Sequence, residues 1–179
     1  GQLLGIYEAI RRSSKLRLLV PRQEGASALM ACGYALAGDD AGVVISTVGA
    51  GVIYELVGIY FAWQNRIPVI SIAPQVQSYR IKPIQENLQA LDQDELFAPI
   101  TKFHSIIYHY TRIPQLLSRA YRIALSAEPG PVHLDIPLDI AFEEKCLSKK
   151  ELEQLVLDYE KTRFTGKIEP EPEQLKKAI

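Results

Sequence analysis

The sequence predicts an α/β fold in which a doubly wound parallel sheet is covered by helices on both faces, giving three α/β/α layers. Three observations support this fold class. Short apolar runs rich in β-branched residues recur along the chain, and helical patterns separate them. The runs also lack the polar alternation of a sheet with one face in water, which indicates burial on both faces.

Four of these runs are predicted to be buried strands, because each is short, apolar and bounded by turn-forming residues. They cover residues 16–20, 43–47, 68–73 and 131–136. A Pro-Gly-Pro turn at residues 129–131 leads into the last of them. We expect the four strands to form the parallel sheet.

Helices are predicted around these strands, where apolar residues recur at helical spacing. The predicted ranges are residues 3–12, 23–37, 53–63, 89–97, 113–126 and 149–159. Gly38 ends the second helix as a stop residue. The helix at 53–63 is so apolar that we expect it to be buried or packed against a partner chain.

The organisation of the chain changes after about residue 140. Residues 143–172 are crowded with charge and end in two prolines, which predicts a linker. Residues 173–179 begin another helical pattern and are expected to start a middle domain. No strand precedes the first helix, so the domain at 1–142 is expected to lack its first strand and the chain to be part of a longer protein.

The charge balance excludes several classes of partner. Lys and Arg number 20 against 21 Asp and Glu, so no net field attracts nucleic acid or an anionic membrane. Cys32 and Cys146 lie far apart and do not form a secreted disulfide framework, which favours a reducing, cytoplasmic setting. No apolar run reaches the length of a membrane span. We therefore expect a small molecule or another protein surface as the partner.

Two motifs carry candidate site residues. Glu24 lies at the join of a predicted strand and helix, where the helix dipole favours an acid, so this stretch alone favours a stabilising role. Gly49 and Gly51 lie between a predicted strand and helix and would let backbone approach a ligand. A tight structural turn explains them equally well, because Tyr54 replaces the third glycine of a dinucleotide fingerprint.

No metal site and no hydrolase site is predicted. His104 and His109 are five residues apart and fall on different faces of a helix or strand, while His133 is alone in a predicted buried strand. Zinc sites need three or four convergent ligands. The chain contains no Gly-x-Ser-x-Gly motif, and Cys32 has apolar surroundings that do not favour a thiolate.

Several short sequence motifs follow one another in order along residues 1–142. They are Arg22-Gln23-Glu24-Gly25-Ala26 with Gly33-Tyr34-Ala35, Thr47-Val48-Gly49-Ala50-Gly51 with Gly58 and Ile67-Pro68, Gln75-Val76, Gln89, Pro99-Ile100-Thr101-Lys102, Pro129-Gly130-Pro131-Val132 and Asp135-Ile136-Pro137. Together they resemble the pyrimidine-binding (PYR) domain of thiamine diphosphate enzymes of the acetolactate synthase type.

The resemblance implies a role for each candidate residue. The family's glutamate corresponds to Glu24, whose protonated carboxyl would hydrogen-bond N1′ of the coenzyme's aminopyrimidine ring. Gly49 and Gly51 would approach the ring or the partner domain through their backbone. Gln89 aligns with a glutamine near the substrate end of the coenzyme, with a surface helix position as the alternative. Gln75 matches the residue after the third strand and is expected to cap it.

The resemblance also implies that the site is shared between domains and subunits. In this family the coenzyme lies between the PYR domain of one subunit and the diphosphate-binding domain of another, so a homodimer or homotetramer is expected. The chain lacks the Gly-Asp-Gly and distant Asn that mark the magnesium and diphosphate site. Mg²⁺ would therefore be bound by an absent domain, and this chain alone is expected to be inactive.

The implied activity is carboligation of 2-oxo acids of the acetolactate synthase type. One alternative is a 2-oxo acid decarboxylase, including a split α subunit of the sulfopyruvate decarboxylase type. The other is a non-catalytic α/β interaction module. Residues 52–54 replace polar groups common in the family and favour that module, whereas Glu24 in its matching context argues against it.

Overall fold

The computed structural model describes residues 2–38, 40–84, 88–142, 148 and 150–154. Within these ranges, strands alternate with helices as the sequence predicts. The longer elements in chain order are α1 Leu4–Arg12, α2 Glu24–Ala37, β1 Gly42–Ile45, α3 Ala50–Gln64, β2 Val69–Gln75, α4 Gln93–Phe97, β3 Phe103–Ile106, α5 Ile113–Leu125, β4 Val132–Pro137 and α6 Leu138–Ala141.

The described strands form one parallel sheet in the order β1-β2-β4-β3. Parallel neighbours need crossover connections, and α3 joins β1 to β2 while α5 joins β3 to β4. All four strands therefore end at the same edge of the sheet, which is where open α/β sheets bind ligands. The predicted doubly wound α/β fold is confirmed.

Two hydrophobic clusters cover the two faces of this sheet. One contains Val69 and Ala73 of β2 together with buried residues of α2 and α3. The other contains Ile70 of β2, three residues of β4 and the buried face of α5. Successive side chains of a strand point to opposite faces, so the burial of both sets makes the sheet the middle of three layers.

The prediction of a strand at residues 16–20 is wrong. This segment has no regular secondary structure and pairs with none of the four strands. Its apolar side chains are exposed, and Val20 is 83% accessible. The apolar, β-branched composition that suggested a strand carries no information about whether a neighbouring strand is available for pairing.

One strand was missed and one helix is shorter than expected. Phe103–Ile106 is the edge strand β3, whose four residues are all half-buried and include His104. The helix predicted over 89–97 begins at Gln93, because the Asp92 carboxylate caps it by accepting a hydrogen bond from the Glu95 N–H at 3.1 Å. Gln89 therefore precedes the helix and does not lie on it.

The helix predicted at 53–63 is α3, and only one side of it is buried. Its buried residues include Val52, Glu55 and Ile59. The opposite side leaves Tyr54 and Val57 exposed. This helix therefore joins the core through one face and presents an apolar face outward.

Lys102, part of the patch at residues 99–102, has a structural role. Its ammonium donates hydrogen bonds to the backbone carbonyls of Ile123, Ser126 and Glu128 at 2.5–2.7 Å. These carbonyls lie at and beyond the C-terminal end of α5, where helix carbonyls lack partners. Burial lowers the pKa of Lys102.

The chain divides into two units, Gly1–Cys146 and Leu147–Ile179. In the second unit, the described residues 150–154 are helical and exposed, within the range predicted as a helix over 149–159. The predicted start of a middle domain at 173–179 and Cys146 lie outside the described residues, so the domain boundaries stay a prediction. None of the described helices has the length and apolar content needed to cross a membrane.

Candidate functional site

The structure brings the four predicted site residues together beyond the carboxyl end of β1. Glu24 is the first residue of α2, one position after the predicted helix start at residue 23, and is half-buried. Gly49 and Gly51 form the turn into α3. Gln89 lies against Gly49, because a Cβ atom on Gly49 would be 3.3 Å from the Gln89 Cα. Three separate segments of the chain thus converge on one place.

Both glycines have a physical reason to be glycine. Gly49 has a φ of +74°, in the region that L side chains rarely adopt. A Cβ atom on Gly51 would lie 2.5 Å from the Thr47 Cγ2 and 3.0 Å from the Glu24 Oε1. The turn therefore needs the first glycine for its backbone, and the Glu24 carboxylate needs the second for its space.

The Glu24 carboxylate is available to a ligand. Among the described residues, no side chain forms a hydrogen bond or ion pair with it. The phenol of Tyr7 on α1 lies close enough to sense its charge, since burial and then the negative charge of Glu24 raise the pKa of Tyr7. Tyr7 was not predicted, because its place near Glu24 depends on how α1 packs.

Two cavities adjoin this edge of the sheet. The smaller has a volume of about 140 Å³ and is lined by Gln2, Leu3, Leu4, Tyr7 and Thr47. Thr47 also lies beside the Gly51 position, so this cavity and the turn that carries Gly51 share one lining residue. The larger, of about 540 Å³, is lined by Gln2, Gln77, Leu138, Asp139 and Phe142.

Asp139 in the larger cavity is held as a carboxylate. Partial burial acts in the opposite direction, but hydrogen bonds from the hydroxyl and the backbone N–H of Ser78 keep the pKa of Asp139 below its ordinary value. The carboxylate therefore ties the segment after β2 to the start of α6.

Gln89 is connected to the N-terminal segment. The Gln2 Nε2 donates a hydrogen bond to the Gln89 Oε1 at 3.1 Å, and the Gln2 Oε1 is buried without a partner among the described residues. Gln2 also lines both cavities. The sequence offered no indication that Gln2 would be there.

A second group of polar residues lies in the core, and sequence reasoning missed it. The Ser71 hydroxyl is 2.8 Å from the His133 Nδ1, and the His133 Nε2 is 3.1 Å from the Asp135 Oδ1. The His133 ring stacks on Phe97 with ring centroids 3.5 Å apart. His133 was predicted to stand alone in its strand, and the structure gives it three partners.

Glu55 of α3 completes this buried polar cluster, and its side chain is fully inaccessible. Burial raises the pKa of Glu55, while His133 and the hydroxyls of Ser46 and Ser71 act in the opposite direction. Neither carboxylate oxygen has a hydrogen bond of standard geometry to any described residue. The sequence signal that could have found it is the position of Glu55 as a lone acid in an apolar helix, four residues after Gly51 and so on the same face.

The site can hold the pyrimidine end of a thiamine coenzyme. It offers an accessible carboxyl for a ring nitrogen, and two glycines leave space that side chains would fill. Among the described residues, no group of three or more His, Cys, Asp or Glu side chains is placed to hold a metal ion.

Comparison with known proteins agrees with this chemistry. The sequence model of the family described as "Thiamine pyrophosphate enzyme, N-terminal TPP binding domain" matches residues 1–96. A probable acetolactate synthase large subunit of Methanococcus aeolicus is 34% identical over 181 residues, covering 100% of this chain and 29% of the relative.

Two further relatives are also described as acetolactate synthase large subunits. The probable acetolactate synthase large subunit of Methanocaldococcus jannaschii is 36% identical over 149 residues, or 83% of this chain and 25% of the relative. The isozyme 1 large subunit of Escherichia coli is 33% identical over 140 residues, or 78% and 25%. The chain thus spans between a quarter and 29% of the length of these relatives. It belongs to the thiamine pyrophosphate enzymes and contains their N-terminal TPP-binding domain.

Proposed function

We propose that this chain is the pyrimidine-binding part of a thiamine diphosphate-dependent enzyme that joins 2-oxo acids, as acetolactate synthases do. The observation that carries the proposal is the Glu24 carboxylate beside Gly51 at the carboxyl edge of the sheet, which no side chain in the described ranges binds. When bound, thiamine diphosphate supplies the nucleophilic carbon and the electron sink that carbon–carbon chemistry on a 2-oxo acid requires.

Glu24 is the residue to which we assign catalysis. Its carboxyl would hold a proton and donate it in a hydrogen bond to N1′ of the aminopyrimidine ring. A general acid in this position contributes about 10²–10⁴-fold to a rate.

The remaining proposed residues bind and orient. Gly49 and Gly51 would let the coenzyme ring approach the backbone of the turn into α3, since neither carries a side chain. Gln89 would lie toward the substrate, where its amide can bond to a carboxylate or carbonyl oxygen of a 2-oxo acid. The diphosphate and Mg²⁺ would be held by another domain, through oxygen ligands that suit a hard cation.

We also propose that the enzyme is a homo-oligomer with its active site at a subunit interface. The support is the outward face of α3, where large apolar side chains are exposed at helical spacing. These are Ile53, Tyr54, Val57, Tyr60, Phe61 and Trp63.

The experiment that tests the proposal is calorimetric titration of thiamine diphosphate with Mg²⁺ into the full-length protein, with this 179-residue chain as control. We expect tight binding by the full-length protein and none by the chain alone, because half of the cofactor site is contributed elsewhere. Absence of binding by both would overturn the proposal and favour a non-catalytic module.

Product analysis with pyruvate then separates the two enzymatic outcomes. Carboligation releases acetolactate and carbon dioxide, whereas simple decarboxylation releases acetaldehyde and carbon dioxide. Acetolactate supports the proposed reaction, and acetaldehyde as the sole organic product would assign the decarboxylase alternative.

A further inference from the structure

Two buried glutamines connect the end of β2 to the segment that carries Gln89. Gln75 and Gln93 are each at most 1% exposed. The Gln75 Nε2 donates to the Leu91 carbonyl at 3.0 Å, and the Gln93 Nε2 donates to the Pro74 carbonyl at 3.0 Å. One amide thus reaches from the strand to the segment and the other reaches back, and we call this pair the glutamine clasp.

The clasp fixes the chain two residues from Gln89. Leu91 also packs its side chain on the core beneath α3. Immediately after the clasp, Phe97 of α4 stacks on His133, so the segment is anchored on its C-terminal side as well. The anchored end lies on β2, the central strand that pairs with both β1 and β4.

The clasp leaves one buried polar atom unpaired, which destabilises the fold and which a purely structural contact would avoid. The Gln93 Oε1 is buried with no hydrogen-bond partner among the described residues. An apolar residue would fill the position without leaving a buried polar atom unpaired, and packing alone would then hold the helix. The amide contributes the direction of its N–H bond, which fixes the register of the segment relative to β2.

We propose that Gln75 and Gln93 are positioning residues that set the place of Gln89 beside Gly49, and so the alignment of the substrate with the coenzyme. This inference rests on the proposed function of the site. Neither glutamine contacts the substrate in this scheme, since both are inaccessible. Their effect on the reaction passes through the backbone of residues 89–91.

The test is a double-mutant cycle in the full-length enzyme, with pyruvate as the substrate. We expect Gln93→Leu to lower kcat/KM roughly tenfold, because small misplacements of an orienting group are costly. In the Gln89→Ala background, the same substitution should change kcat/KM by less than about twofold, since residues that act through one another are not additive. The Kd for thiamine diphosphate should stay unchanged.

Ile107→Val serves as the matched structural control. Ile107 is fully buried in the cluster on the other face of the sheet, so its truncation destabilises the fold without touching the clasp. It should change kcat/KM by less than about twofold. Gln93→Met, which keeps an unbranched side chain but donates no hydrogen bond, should reproduce Gln93→Leu.

Three outcomes would overturn the inference. Equal losses in both backgrounds would mean that Gln93 acts independently of Gln89, and no loss in either would mean that the clasp positions nothing of importance. An unchanged kcat/KM in Gln89→Ala alone would mean that Gln89 does not act on the substrate, so the clasp would have no functional group to position. In each case coenzyme binding by the wild-type enzyme reports separately on the proposed function.

Discussion

Glu24 and Glu55 are both carboxylates on α2 and α3, two helices that pack against each other, yet they occupy opposite environments. Glu24 is half-buried at the carboxyl edge of the sheet, beside Gly51. Glu55 is fully buried within the core, among two serines, His133 and Asp135. Among the described residues, neither carboxylate makes a hydrogen bond of standard geometry.

The difference shows how position decides what an unpaired carboxyl does. At the edge, Glu24 can exchange its hydrogen bonds with water for hydrogen bonds with a ligand, so it costs the fold little. In the core, Glu55 cannot reach water, and its protonation becomes part of the stability of the fold. We therefore expect changes at Glu24 to alter activity and changes in the Glu55 cluster to alter stability.

The largest expected effect is the loss of activity in Glu24→Gln. The amide keeps the shape of the side chain and can donate a hydrogen bond, but it cannot transfer a proton to the ring nitrogen, so kcat of the full-length enzyme should fall about 10²–10⁴-fold. The free energy of unfolding should change by less than about 0.5 kcal/mol, as for other accessible positions. Steady-state kinetics and denaturant unfolding measure the two quantities. Unchanged activity would contradict the role assigned to Glu24.

The second effect is the loss of stability in His133→Leu. Leucine would leave the Ser71 hydroxyl and the Asp135 carboxylate without their bonds to the ring and would remove the stack on Phe97. Uncompensated buried polar groups cost about 1–3 kcal/mol each, so we expect the free energy of unfolding to fall by about 2–4 kcal/mol. Urea unfolding of the chain measures this.

His104→Leu is the matched control for that substitution. His104 lies 3.2 Å from the Asp94 carboxylate, and both side chains are about 30% exposed. A pair with this exposure contributes at most about 1 kcal/mol. A loss as large as that of His133→Leu would mean that the stability does not come from burial of the polar cluster.

The sheet was largely predictable because three of its strands are short, mostly apolar runs bounded by turns. Runs in the sequence marked β1, β2 and β4, and helical spacing marked α2, α3 and α5. β3 was missed because an edge strand with half-buried residues carries no such pattern. The exposed run at residues 16–20 was overpredicted for the converse reason, since its composition resembles a strand but pairing is decided by distant residues.

The candidate site was predictable only where its residues fall in local motifs. Gly49 and Gly51 mark the join of β1 and α3, Glu24 marks the start of α2, and the family resemblance connected them to Gln89. The polar cluster was not predictable in this way. Its contacts depend on the register that places Ser71 opposite His133 on two neighbouring strands. The two hydrogen bonds of the glutamine clasp likewise join residues that are separated by 16 and by 19 positions in the sequence.

The third effect is a pH dependence of stability that comes from Glu55, and it is measured as a slope and not as a loss at one pH. Its pKa in the fold is raised above the ordinary 4.5, first by burial and then by Asp135, against the opposing influence of His133, Ser46 and Ser71. A raised pKa means that the folded chain holds a proton that the unfolded chain has released. The stabilisation from this group is therefore complete below about pH 4.5 and is lost as the pH rises through the folded pKa.

Within that window the free energy of unfolding should fall by about 1.4 kcal/mol per pH unit from Glu55 alone. Glu55→Gln has no proton to release, so the difference between the two proteins isolates the contribution. The lowered pKa of Asp139 makes the free energy of unfolding rise with pH, but only below about pH 3.8, which is outside the window. Urea unfolding of both proteins between pH 5 and 8 measures the slopes. Parallel slopes would mean that Glu55 is ionised in the core, and the contrast between the two carboxylates would then rest on accessibility alone.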